Sequence, residues 1–180
     1  MTNVNAPYGF RPTMRTRSGA AGSLAPANKL AGYGTALFKQ DAVTQAASDL
    51  LGTLCISAAI TPGTTPILGV NLEYGAASTA TNHHIVVANN AIFVVQGDGT
   101  GATYLVPASM SKNANIALTA GSATLFTSQH ELSETSLATT NTLDLKVRGL
   151  YQSPNNAAGQ YAQVFVSFNN LVDGDQKAGI

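Results

Sequence analysis

Asn141-Thr-Leu-Asp-Leu-Lys-Val-Arg-Gly-Leu-Tyr151 alternates residue by residue. Leu143, Leu145, Val147, Gly149 and Tyr151 fall on one side, and Asp144, Lys146, Arg148, Leu150 and Gln152 on the other. A period of two with one apolar and one largely charged face predicts a half-buried antiparallel strand. From about residue 34 onward the other apolar runs are equally short and are separated by Gly, Pro, Asn, Ser and Thr clusters. Helical periodicity is weak throughout. This pattern predicts an all-β chain, an antiparallel jelly roll or barrel-like sandwich, because stacking or closure removes exposed strand edges.

Working outward, Ile85–Ala88 and Ala91–Gln96 flank Asn89-Asn90, a dipeptide that tolerates positive φ and predicts a tight hairpin. A second hairpin is expected from the alternation over 113–120, the Gly121-Ser122 turn and the run 123–127. Tyr161 to Phe168 is aromatic and β-branched, separated from the strand ending near Tyr151 by Pro154-Asn-Asn. Further strands are expected at Ala36 to Gln40, Leu51 to Ile56, Ile67 to Glu73 and Thr103 to Val106, and a short helix near Thr44 to Leu50. The Thr/Asn-rich stretch from Ser128 to Asn141 is expected as an outward loop.

Charge is sparse, at 10% of residues against roughly 25% in typical soluble domains. A surface of small neutral polar groups costs little to desolvate, which suits contact with other subunits. The net charge of zero conceals an asymmetry. Residues 1 to 40 carry Arg11, Arg15, Arg17, Lys29 and Lys39 with no acid, so a +5 segment precedes a −5 remainder. This segment also holds Pro7, Pro12 and Pro26, which fix φ and remove backbone donors. It reads as an extended arm that orders on a partner, with Pro7, Tyr8, Phe10, Arg11, Pro12, Arg15 and Arg17 as the contact residues, since rigid aromatics and Arg anchor interfaces. The expected organisation is an arm over 1–33, one β domain over 34–172 and a short tail over 173–180.

Reactive chemistry is poorly represented. The single cysteine, Cys55, lies in the apolar run Leu50 to Ile56 and reads as a small buried hydrophobe. His83 and His84 are adjacent, and in a strand they point to opposite faces, away from any shared metal. Gly97-Asp-Gly-Thr-Gly101 lacks the Lys-Ser/Thr and the helix of a phosphate loop. Asp173-Gly-Asp175 supplies two carboxylates where calcium needs six to eight oxygens. No G-x-S-x-G elbow is present, and no enzyme activity, cofactor or metal is expected. The arm cations are too dispersed for a strong grip on nucleic acid. No apolar stretch reaches the ~20 residues of a membrane span, and no export signal is visible.

The opening Asn5-Ala-Pro-Tyr-Gly-Phe-Arg-Pro12 resembles the N-terminal signature of capsid cement or decoration proteins of tailed bacteriophages. Pro66-Ile-Leu-Gly-Val70, Val147 to Asn156 and Tyr161 to Asn170 extend the resemblance across the chain. The resemblance implies a virion structural protein, made in the host cytoplasm, that sits on the exterior of an icosahedral shell. There it bridges neighbouring major capsid protein subunits and associates with itself, as a homotrimer first and a homodimer second. The competing expectation is a tail or connector component, or a module that binds host-surface glycans through the Ser128 to Asn141 region.

Overall fold

The computed structural model describes residues 3–16, 23–46, 54–100, 104–174 and 179. Twelve strands occur among them: β1 (Arg11–Thr16), β2 (Leu24–Lys29), β3 (Ala42–Gln45), β4 (Ile56–Ser57), β5 (Gly69–Asn71), β6 (Thr81–Val87), β7 (Ala91–Gln96), β8 (Asn113–Ala114), β9 (Ile116–Ala117), β10 (Glu131–Leu132), β11 (Leu145–Leu150) and β12 (Gln163–Phe168). The only described helical segments are the 3-10 turns Pro107–Ser109 and Glu134–Ser136. The chain is all-β, as its periodicity predicts.

Two five-stranded antiparallel sheets form the body, in the orders β1-β7-β12-β11-β8 and β2-β6-β5-β3-β4, with β9 and β10 as a separate pair. The second sheet curls into a half-barrel. Its terminal strands approach each other, with Asn28 N–H donating to the Leu54 carbonyl at 2.8 Å beside a parallel bridge from Asn28 to Cys55. Alternation along these curled strands gives them two apolar faces. Ala27, Leu37, Val43, Ile56, Leu68 and Ile85 form a small core of their own. Ala42, Val70 and Val86 instead join the main core with Phe93, Val95, Leu132, Leu145, Val147, Val164, Val166 and Phe168. Lys29 is 1% exposed, and its ammonium donates to the Tyr33 and Thr79 carbonyls at 3.2 and 3.1 Å. Burial lowers its pKa.

Several local expectations are corrected by the pairing. β6 and β7 are joined through Asn89-Asn90, and Asn90 has φ of 70°, yet they lie in different sheets. The turn is an arch between layers, because both flanking strands bury residues in the core between the sheets rather than pairing edge to edge. The run 113–120 does not form a hairpin with 123–127. Instead β9 pairs with β10, and 122–127 closes on itself through a Ser122–Thr127 bridge. Leu37 and Lys39 make isolated bridges instead of a strand over 36–40, and Leu105 makes one to Gly159. Thr44 and Gln45, expected in a helix, belong to β3; residues 47–50 of that helix, and 51–53 of the strand expected over 51–56, lie outside the described residues.

The arm is the largest correction. Its described part is built into the body: β1 pairs with β7, and β2 pairs with β6 along all six of its residues. Phe10 is fully buried, its ring 5.0 Å from that of Phe168 and 6.5 Å from His130. Gly9 permits this, with φ of 77° and a position where a Cβ would sit 2.4 Å from Ser128 Cβ and 2.5 Å from the Gln40 carbonyl oxygen. The left-handed turn directs the next side chain inward, and Phe10 N–H donates to that same carbonyl at 2.9 Å. Gly9→Ala is expected to cost about 2 kcal/mol in chemical denaturation, from the positive φ and the crowding together. At the other end, Gly179 N–H donates to the Thr139 carbonyl at 2.9 Å, so this part of the expected tail also docks on the body.

Candidate partner-binding groove on the outer sheet

With Phe10 turned inward, alternation places Arg11 and Thr13 on the outer face of the first sheet. A cross-strand row follows from the register: Arg11 opposes Val94, Val94 opposes Phe165, and Phe165 opposes Gly149. Arg11, Pro12, Thr13, Val94, Tyr151, Gln152 and Phe165 line an open groove of about 340 Å³. Nothing lies within 4 Å of where a Gly149 Cβ would stand.

Tyr151 reaches this face through a register shift. β11 and β12 slip between Val147 and Gly149, which exchanges the faces of the residues that follow. Leu150 then packs against the core, and Tyr151 crosses Phe165 edge to face at 5.4 Å and 83°. The uninterrupted alternation expected from the sequence had placed these two residues on the opposite sides. Asp144 also departs from its expected charged face. It is fully buried, accepting hydrogen bonds from Gly63 N–H at 2.9 Å and Ile116 N–H at 3.2 Å.

The Arg11 guanidinium carbon lies 5.0 Å from the Tyr8 ring centroid and 5.2 Å from that of Tyr151. Such cation–π contacts contribute about 0.5–1 kcal/mol each at exposed sites. They hold the guanidinium in place, and none of its N–H groups donates to another side chain or carbonyl among the described residues. Burial raises the Tyr8 phenol to about 12, against the opposing pull of Arg11, so it stays a donor across the physiological range. Its hydroxyl is shut from solvent and has no hydrogen-bond partner.

The residues before Tyr8 are pinned. The Asn3 amide donates to the Ala157 and Gln160 carbonyls at 2.9 and 2.8 Å and accepts from Ala157 N–H at 3.0 Å. Gln96 accepts from Ala6 N–H at 3.2 Å and donates to Asn5 Oδ1 at 3.1 Å. The expected contact residues therefore separate. Tyr8, Arg11 and Pro12 assemble at the groove with Pro7 adjoining in sequence, whereas Phe10 is core. Arg15 lies in β1, and Arg17 lies outside the described residues. Tyr151 and Phe165 were not among the residues expected here, and the bulge that brings Tyr151 to the site has no local sequence signature.

Elsewhere the polar clusters read as structural. His83 is buried between Thr81 Oγ1 at 2.7 Å and Asn71 Oδ1 at 2.8 Å, while exposed His84 pairs with Glu73 at 2.9 Å on the other face. His130 lies 3.6 Å from Asp41, and both are buried. The adjacent Ser128 hydroxyl is fully enclosed and accepts from His130 backbone N–H at 3.1 Å, which is not the serine-to-imidazole bond of a nucleophilic triad. Among the described residues no group of three or more His, Cys, Asp or Glu is placed to hold a metal ion. The stretch expected as an outward loop is packed into the body over much of its length: Ser128, His130, Glu131, Leu132 and Glu134 are buried, and 139–142 are exposed. Comparison with family models, with curated proteins and with solved structures gives no significant match.

Proposed function

We propose that this chain is a structural protein of a phage virion that cements neighbouring major capsid protein subunits from outside the shell. The observation that carries this reading is the Arg11 cation, set against Tyr8 and Tyr151 beside an open groove on a sheet whose strands carry Arg11, Arg15, Lys146 and Arg148 and no acid. Aromatics and Arg at a rigid site are what interface anchors require. The body has two layers packed on a main core, which suits a clamp working through contact area at many equivalent positions. The contact is made by a preformed face, since the arm first expected for it is already folded onto the body. Self-association belongs to the same proposal, with exposed Leu125 and Phe126 as apolar surface for it.

Cosedimentation with expanded capsids lacking the protein tests this. Wild type is expected to saturate at hundreds of copies per particle. Arg11→Ala with Tyr151→Ala should reduce occupancy at least tenfold while the thermal midpoint moves little. Full occupancy by the double variant would remove the groove from the contact. Occupancy at a dozen copies or fewer would favour the tail or connector reading.

A further inference from the structure

We infer that the groove receives a side-chain carboxylate carried on an extended partner segment, with Arg11 as its counter-ion. The inference rests on the groove being a contact surface, and it adds the chemistry of what enters.

Three features converge on it. Arg11 has no carboxylate partner: the ion pairs among the described residues all join a histidine to Glu73 or Asp41. Ring contacts satisfy its charge in part but none of its N–H groups, and a guanidinium with its fork free is the group that binds carboxylate through paired hydrogen bonds. Beside it, the Tyr8 hydroxyl lacks any acceptor. A buried donor without a partner is destabilising, so an acceptor completes the site. A carboxylate at the guanidinium edge brings oxygens to this corner, with a small shift of Arg11 opening the way to the phenol.

The backbone defines the rest of the ligand. β1 is the outermost strand of its sheet, and no described strand pairs with its far edge. An extended segment laid along that edge continues the sheet, as in strand-addition complexes. Its side chains alternate as those of β1 do, so the residue opposite Arg11 projects over the outer face. Opposite charges at directly facing positions of adjacent strands stabilise the pair. Residues flanking it at a spacing of two share that face and stand beside Thr13 at the rim of the groove. The ligand is thus an acidic residue set among apolar or β-branched ones, in a strand.

The test uses the intact protein and a blocked pentapeptide, Thr-Val-Glu-Val-Thr, titrated at pH 7 with amide and Arg side-chain NMR as readout. Saturable shifts centred on Arg11 and Tyr8 are expected. The glutamine counterpart should bind at least tenfold more weakly. Arg11→Gln should abolish binding, Arg11→Lys should keep part of it, and Tyr8→Phe should weaken it several-fold, each with the dispersed amide spectrum of the folded protein retained. Equal binding of the glutamine peptide, or no saturable binding of the glutamate peptide, would overturn the inference. So would acetate alone binding as tightly as the peptide, since the strand would then contribute nothing. Capsids do not enter this measurement: capsid attachment without peptide binding would sink the carboxylate site alone, and peptide binding without attachment would sink the capsid role alone.

Discussion

Phe10→Ala is expected to lower the unfolding free energy by about 3–5 kcal/mol, the range for deleting a buried aromatic ring. The ring is fully enclosed and meets Phe168 at 5.0 Å, which in turn meets Phe93 at 5.2 Å, so three aromatics from the N-terminal segment, β12 and β7 share one stack. Removing the first leaves a cavity between the sheets that the pinned backbone cannot collapse into, because Phe10 N–H is held by Gln40 and Ala6 N–H by Gln96. Guanidinium-chloride unfolding checks the value, and Phe10→Leu should recover about half of the loss. Tyr8→Ala, two residues earlier and only partly buried, should cost less, about 1–2 kcal/mol. A loss below 1 kcal/mol for Phe10→Ala would mean that the N-terminal segment does not dock as described.

The second large effect is electrostatic. Glu131 and Glu134 lie with Asp98 at the end of β7, where Glu134 N–H donates to Asp98 at 3.2 Å and Gln96 donates to Glu131 at 3.3 Å. Glu134 is fully covered, and its carboxylate oxygens have no hydrogen bond of ordinary geometry, with only a weak backbone contact from Leu105 opposing the cost of burial. Desolvation first, and repulsion from Asp98 second, raise both glutamates from 4.5 to about 7. A carboxyl whose folded pKa lies above its unfolded value binds protons more tightly in the folded state. Stability is therefore lost as pH rises from about 4.5 through 7, and the loss is complete above that.

Buried His83 and His130 have lowered pKa values, chiefly from desolvation, and act oppositely below 6.5. The falling limb should consequently be cleanest between pH 6.5 and 8, where the two glutamates together account for about 1–2 kcal/mol. Glu134→Gln removes the penalty of ionising in the folded state. It should raise stability by about 2–3 kcal/mol at pH 8, with the gain shrinking toward pH 5. Thermal melts of both proteins across this range provide the check; a gain independent of pH would show that the carboxylate is not titrating there.

How legible all this was in the sequence depends on the range of the interactions involved. β11 announces itself through alternation, and β6, β7 and β12 through short apolar, aromatic or β-branched runs bounded by turn residues, all of which are local signals. Their partners do not: Asn89-Asn90 has the same local chemistry whether it returns a strand beside its neighbour or lifts it into the other sheet. Asp144 reads as a surface acid because its ligands, the amides of Gly63 and Ile116, are far away in sequence. The N-terminal segment misleads for a related reason. Prolines and glycines remove the periodic signal of an independent element, but a single fully buried ring with a left-handed glycine before it is enough to fix the chain onto a core built by others. Of the site, Tyr8, Arg11 and Pro12 were recognisable by type, whereas Tyr151 arrives through a bulge that only pairing with β12 reveals.

The arch at Asn89-Asn90 has a mechanical corollary. Load applied to the outer face enters through β1 and passes along the β1–β7 pairing as shear, which opposes many hydrogen bonds at once instead of unzipping them singly. From β7 it crosses the short arch directly into β6, the second strand of the curled sheet. Tension on one layer is thus relayed covalently to the other within a few residues, and the two layers resist pulling as a single stiff wedge rather than peeling apart.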